Sequence, residues 1–349
     1  MERIIHKHGH LIILWAIFMI YFSMVIFSQS NLGENPVDVA HWDSGYNFKS
    51  LNPGFFDIDV EIINQKYADE NSKWIDINGL KVHYKDEGNG PVLLLLHGTL
   101  SSLHTWDAWV NALKDHYRII RLDIPGFGLT GPANFAFNEK NLGKFFYDFI
   151  SAMKIEHFSV AGSSLGGYMA WKFAVYAPQH INNLILLDPA GYPQDLPGAL
   201  KWYSLPVIDW FATQITPRWI FRLSMDSLYG DEEKLTEKVV DRYYELLLRD
   251  GNRTSAREIM EYLDSRKNEY PFQIATIKTP TLIMWGGKDV WEPTELTKKW
   301  IKDMPHAKLI IYKGVGHLPA EEIPVKSAKD LHKFLSQSKG PSHQELINI

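Results

Sequence analysis

The sequence predicts an α/β fold, a mostly parallel sheet with helices on both faces and a helical segment inserted between two strands. Three observations carry this reading. Apolar runs such as Pro91-Val92-Leu93-Leu94-Leu95-Leu96 and Asn183-Leu184-Ile185-Leu186-Leu187 are continuous rather than alternating, as in strands buried on both faces. Segments of helical period, such as Leu142, Phe145, Phe146 and Phe149, fall between such runs and read as core packing. From Gly191 to about Lys278 the alternation stops, and only helical patterns appear.

Composition narrows the function classes. A chain of 349 residues that is 45% hydrophobic can bury one large core with an inserted lobe. A net charge of −5 gives no overall basic face, which argues against nucleic acid as the main partner. With no cysteine there is neither a disulfide nor a thiol nucleophile. Twelve Trp, 18 Phe and 16 Tyr suit an apolar substrate cavity and an ordinary core equally well.

Taken in order, the chain opens with Leu11–Phe27, apolar apart from Ser23 and preceded by Arg3, Lys7 and the alternating His6, His8 and His10. As a helix this run spans roughly 25 Å, at the short end of what crosses a bilayer. The expectation is a single-pass anchor within residues 1–30, the alternative being a signal peptide cleaved near Ser28-Gln29-Ser30. Arg3 and Lys7 before the run, with Glu34, Asp38 and Asp43 after it, place the rest of the chain on the periplasmic or extracytoplasmic side. Residues 31–72 read as a polar linker with a short helix near Val60–Tyr67. Trp74–Ile77 and Leu80–Tyr84 flank Asn78-Gly79 and form a hairpin. Further strands follow at Pro91–Leu96, Tyr117–Asp123, Ser159–Gly162, Asn183–Asp188, Thr281–Trp285 and Lys308–Tyr312, with a helix over Asn141–Met153. The expected organisation is a core of residues 73–191 and 279–338 and a helical cap of residues 192–278. The cap's aromatic residues, Trp202, Trp210, Phe211, Trp219, Phe221 and Tyr229, precede helices near Glu237–Arg249 and Ser255–Asp264.

The chemistry centres on Gly162-Ser163-Ser164-Leu165-Gly166, a Gly-x-Ser-x-Gly turn between a strand and a helix. Such a turn exposes its middle residue, Ser164, above the sheet at a helix N-terminus, where the dipole favours developing negative charge. A nucleophilic serine needs a base and an acid that orients the base. Downstream, each after its own strand, come Asp289 in Trp285-Gly286-Gly287-Lys288-Asp289 and His317 in Gly314-Val315-Gly316-His317. Asp188, also at a strand end, is the competing acid, whereas Asp123 precedes the serine and reads as structural. The oxyanion donors would be the N–H of Leu165 and that of Thr99 or Leu100. His97 shapes that loop by hydrogen bonding, and Ser163 occupies the variable position of the turn. Asn252-Arg253-Thr254 is a glycosylation sequon, meaningful only in a eukaryotic host. No phosphate loop or clustered metal ligands appear, so no cofactor and no metal is implied.

Together, His97-Gly98-Thr99-Leu100-Ser101-Ser102, Asp123-Ile124-Pro125-Gly126-Phe127-Gly128, the Ser164 turn, Asp289 and Gly316-His317 resemble the α/β-hydrolase superfamily over about Trp74 to Leu335. Within it, His97–Trp106 and Gly126–Pro132 resemble bacterial lipases and esterases of the Moraxella type, and the layout is similar to membrane-anchored monoacylglycerol lipases. That resemblance implies an α/β-hydrolase fold and hydrolysis of apolar acyl esters through a Ser164 acyl-enzyme. Carbon–carbon bond hydrolysis or cofactor-free perhydrolysis on the same fold is the alternative, and a non-catalytic ligand-binding homologue is the alternative of another class. Haloalkane dehalogenases and epoxide hydrolases carry aspartate at this turn, so Ser164 argues against both.

Overall fold

An eight-stranded sheet organises the computed structural model, which describes residues 54, 56–194 and 214–338. In chain order the strands are β1 (Lys73–Ile77), β2 (Leu80–Glu87), β3 (Val92–Leu96), β4 (Arg118–Leu122), β5 (Phe158–Ser163), β6 (Ile181–Leu187), β7 (Thr281–Gly286) and β8 (Lys308–Tyr312). Their spatial order is β1-β2-β4-β3-β5-β6-β7-β8. The β1/β2 and β2/β4 pairs are antiparallel and all others are parallel. Asn78 and Gly79 close the first hairpin with φ of 54° and 81°, the two positive angles that a type I′ turn requires.

The described helices are α1 (Val60–Tyr67), α2 (Asp107–Leu113), α3 (Glu139–Ala152), α4 (Leu165–Tyr176), α5 (Arg218–Asp226), α6 (Glu237–Leu248), α7 (Asn252–Ser265), α8 (Thr297–Asp303), α9 (Pro319–Glu322) and α10 (Pro324–Gln337). Alternate strand residues serve opposite layers, because the side-chain period of a strand is two. Leu93, Leu95, Ile185, Leu187 and Met284 pack in one cluster with Trp109 and Leu113 of α2 and with Leu331 and Phe334 of α10. On the other face Phe146 of α3 and Phe173 of α4 meet edge to face at 4.5 Å, and Phe158 of β5 joins them.

Between β6 and β7 the described residues form helices and turns, with no strand beyond an isolated bridge between Arg249 and Ile58. Thr236 caps α6 by accepting from the Val239 N–H at 3.3 Å. Trp202, Trp210 and Phe211 of the expected cap lie outside the described residues. The described part of the stretch expected to be a linker, from residue 56 on, is docked on these helices. The Ile58 N–H donates to Leu248 O at 2.6 Å, and Ile58 O accepts from the Asp250 N–H at 3.0 Å. Asp57 pairs with Arg253 at 2.6 Å, and the Tyr67 hydroxyl bonds Glu245 at 2.7 Å. Its polar composition serves a polar interface rather than solvent.

One expectation is corrected. Among the described residues no helix is long and apolar enough to cross a membrane. The longest, such as α3, α7 and α10, have 14 residues, about 21 Å, and each is amphipathic, whereas a span needs roughly 20 apolar residues. Residues 11–27, on which the expected anchor falls, lie outside the described residues. The membrane localisation and the extracytoplasmic placement are therefore withdrawn.

Candidate active site

The parallel strands converge their C-terminal ends on one edge of the sheet, and each candidate residue stands at such an end. Ser164 follows β5, with φ 52° and ψ −114°, and its conformation is set by its surroundings. Its N–H donates to Leu187 O at 3.0 Å, and its carbonyl accepts from Tyr168 at 2.9 Å and Ala190 at 3.2 Å. The flanking glycines leave no alternative. A Cβ on Gly162 would lie 2.2 Å from Gly166 O, and one on Gly166 would lie 2.1 Å from Leu96 O.

Leu165 opens α4, so its N–H is one of the four that lack an intrahelical acceptor. The facing loop starts at Gly98, where a Cβ would come within 3.2 Å of Ser164 Cβ. Thr99 and Leu100 occupy the turn closed by the Ser101 N–H donating to Gly98 O at 3.3 Å, and Leu100 takes φ 58°. His97 is fully buried, and its Nε2 accepts from the Ile124 N–H at 2.9 Å. Its Nδ1 must then carry the proton, donated to Gly98 O at 2.7 Å. Burial lowers its pKa, in keeping with a neutral ring that shapes the loop.

Asp289 lies just after β7 and His317 after β8, both buried. The His317 Nδ1–H donates to Asp289 Oδ2 at 2.7 Å, and Asp289 Oδ1 accepts from the N–H groups of Trp291 at 2.7 Å and Glu292 at 3.0 Å. Both carboxylate oxygens are thus committed, which fixes the imidazole and leaves Nε2 as its basic nitrogen. Trp291 stacks on His317 with ring centroids 5.8 Å apart. Asp188, the competing acid, lies in the same cluster. One ligand atom from each of Asp188, Asp289 and His317 lies within 4.8 Å of the others. A cation there would have to displace the proton that His317 shares with Asp289. Burial, reinforced by the charge of Asp289, holds the carboxyls of Asp188 and Glu292 well above the usual carboxylate range.

Several supporting residues were not legible in the sequence. The His317 N–H donates to Leu228 O at 2.7 Å, and Glu322 accepts from Gly316 at 2.8 Å and Gly230 at 3.0 Å. The inserted segment 228–230 is thereby fastened to the histidine loop. Ser101 donates to the Tyr243 hydroxyl at 3.0 Å, which donates to Glu321 at 2.7 Å, a chain from the oxyanion-side loop through α6 to α9. Asp123 plays the structural part expected of it. It accepts from Leu103 N–H and Leu129 N–H at 2.7 Å, and from His83 Nδ1 at 2.7 Å. No sequence signal marked His83, Tyr243 or Glu322. Asn252 of the sequon is buried, its amide donating to Gly128 O at 3.1 Å and Leu246 O at 2.7 Å, so it offers no acceptor for a glycan in the folded protein.

A strand-turn-helix serine elbow on a mostly parallel sheet, with an aspartate–histidine pair on the same edge, defines the class. The chain belongs to the α/β hydrolase fold family, whose sequence profile matches residues 91–324. It is similar to the uncharacterized hydrolase YugF of Bacillus subtilis, 24% identical over 74% of this chain and 96% of that one. It is also similar to 2-hydroxy-6-oxo-6-(2'-aminophenyl)hexa-2,4-dienoic acid hydrolase of Metapseudomonas resinovorans, 24% identical over 76% of this chain and 91% of that one. Among solved structures, a membrane phospholipase A described as a bacterial virulence factor superposes with a TM-score of 0.67 at 20% identity, covering 96% of this chain and 98% of that one. The sequence resemblance to the superfamily therefore holds, and with it the α/β-hydrolase fold.

Proposed function

We propose that this hydrolase cleaves carboxylic esters with apolar acyl groups, with Ser164 as nucleophile, His317 as base and Asp289 as the residue that orients it. The observation that carries the reading is the 2.7 Å Nδ1–H···Oδ2 bond between His317 and Asp289 on the edge where Ser164 stands strained. In the first step Ser164 Oγ attacks the carbonyl carbon while His317 Nε2 takes its proton. The oxyanion is met by the N–H of Leu165 and that of Thr99 or Leu100. Collapse expels the alcohol, which receives the proton from His317, and leaves an acyl-Ser164 ester. Water then attacks that ester, again deprotonated by His317, and the carboxylic acid leaves as Ser164 recovers its proton. The cycle as proposed is written with side chains, backbone amides and water alone.

A second reading, hydrolysis of a carbon–carbon bond next to a ketone, is favoured by the similarity to the dienoic acid hydrolase. The two are separated by assaying p-nitrophenyl esters of graded chain length beside a 2-hydroxy-6-oxo-dienoate, with fluorophosphonate labelling of the purified protein. Ester turnover with labelling at Ser164 is expected. Turnover of the dienoate alone would install the second reading, and absence of labelling would remove the nucleophile assignment.

A further inference from the structure

Two acids compete for His317 in the sequence, and the structure places both beside it, which leaves Asp188 without an evident task. Its backbone is unusual, at φ 42°, and its N–H donates to Met284 O at 3.0 Å. Its Oδ1 accepts from the Gly286 N–H at 2.7 Å, and its Oδ2 is buried with no hydrogen-bond partner. The side chain is fully buried and lies, with Asp289 and His317, inside the cluster whose ligand atoms approach within 4.8 Å.

An ionised Asp188 would set a second negative charge beside Asp289 and leave a bare oxygen in the dry interior. Both are costly, and a proton on Oδ2 removes both at once. The acceptor for that proton is Asp289, whose oxygens otherwise receive His317 and the amides of Trp291 and Glu292. We infer that Asp188 is a positioning residue whose carboxyl donates a hydrogen bond to Asp289, so that the pair carries one negative charge between them. The inference rests on the reading of Asp289 as the residue that orients His317.

The groups around the pair agree with this division. Glu292 is also buried, with Oε2 unpartnered, and its pKa is raised by burial and by the charge of Asp289. The Tyr312 hydroxyl, which also feels Asp188, donates to Asp330 at 3.0 Å. His317 faces the pair through Nδ1 alone. Asp289 is the carboxyl with a full set of donors, and so the one that keeps the charge. The strained backbone at Asp188 is consistent with a conformation held for the direction of the side chain.

Asparagine can stand in for a protonated aspartic acid, because its amide donates where the acid's O–H did and its carbonyl accepts from Gly286. Aspartate, Asn and Ser at position 188, and Asn at position 289, are compared in the full chain by ester kinetics and by the downfield NMR proton of the His317 Nδ1–H. Asp188→Asn is expected to keep kcat/KM within about threefold of the parent and to preserve the downfield proton. Asp188→Ser is expected to lower kcat by roughly 10–100-fold with KM little changed, as the loss of a hydrogen bond to a charged group does, and to shift that proton. Asp289→Asn is expected to remove it. Asp188→Asn as damaging as Asp289→Asn would show an ionised, orienting Asp188. Asp188→Ser indistinguishable from the parent in both readouts would show that it positions nothing. Because the NMR readout needs no turnover, failure of the ester reading appears separately, as absence of ester hydrolysis and of labelling at Ser164 with the proton pattern intact.

Discussion

Asp123→Asn tests whether a buried carboxylate holds the loops that frame the site. Asp123 is fully buried and accepts three hydrogen bonds, from Leu103 N–H, Leu129 N–H and His83 Nδ1, each at 2.7 Å. Asparagine replaces one acceptor oxygen by a donor, so Oδ2, which takes both Leu129 and His83, or Oδ1, which takes Leu103, faces a donor with a donor. Breaking a buried, hydrogen-bonded charge pair by altering one partner costs about 3–5 kcal/mol. Urea unfolding at pH 7 should therefore show a loss of that size, with an unchanged denaturant slope. The pH dependence carries a sign. Burial alone would raise the Asp123 pKa, but the charge and hydrogen bond of His83 outweigh it and hold the carboxyl well below the ordinary range. A depressed folded-state pKa means stability that is present above the unfolded value, about 3.9, and lost as pH falls through the folded one. The difference between parent and variant should thus narrow as pH is lowered from about 5 toward 2. A variant within about 1 kcal/mol of the parent at pH 7, or a difference independent of pH, would refute the argument.

Other consequences can be read from single contacts. Ser164→Ala should lose ester turnover and fluorophosphonate labelling while Ser163→Ala retains both; equal loss in a folded Ser163→Ala protein would overturn the elbow assignment. Gly166→Ala drives a Cβ to 2.1 Å from Leu96 O, and should cost at least about 3 kcal/mol in thermal or urea unfolding. A stability unchanged by that substitution would mean β3 and α4 are less tightly apposed. Glu322→Ala leaves the amides of Gly316 and Gly230 without their shared acceptor. It should cost about 2–4 kcal/mol in stability, with faster limited proteolysis near residue 230, where unaltered cleavage would count against the fastening.

The described core was legible because its signals are local. Continuous apolar runs mark strands buried on both faces, Asn78-Gly79 marks a hairpin, and Gly162 and Gly166 mark a turn too tight for any Cβ. Chain order also suggested which Ser, Asp and His stand at strand ends, since parallel strands deliver their C-terminal ends to one edge. Burial and partnership across long sequence separations were not legible. The 56–67 stretch reads as the end of a polar linker with a short helix, and that helix is present, but its ion pairs with residues near 245–253 belong to a folded interface that the sequence does not announce. Likewise Asp289 is the expected orienting acid and Asp188 its competitor, each at a strand end, but the groups that each one meets are visible only in the tertiary structure. It directs His317 and two amides to Asp289 and leaves Asp188 one amide and a bare oxygen. Sequence determines which groups reach the sheet edge, through periodicity and backbone sterics. Packing decides which of them is charged, because desolvation and hydrogen-bond supply are properties of the assembled interior.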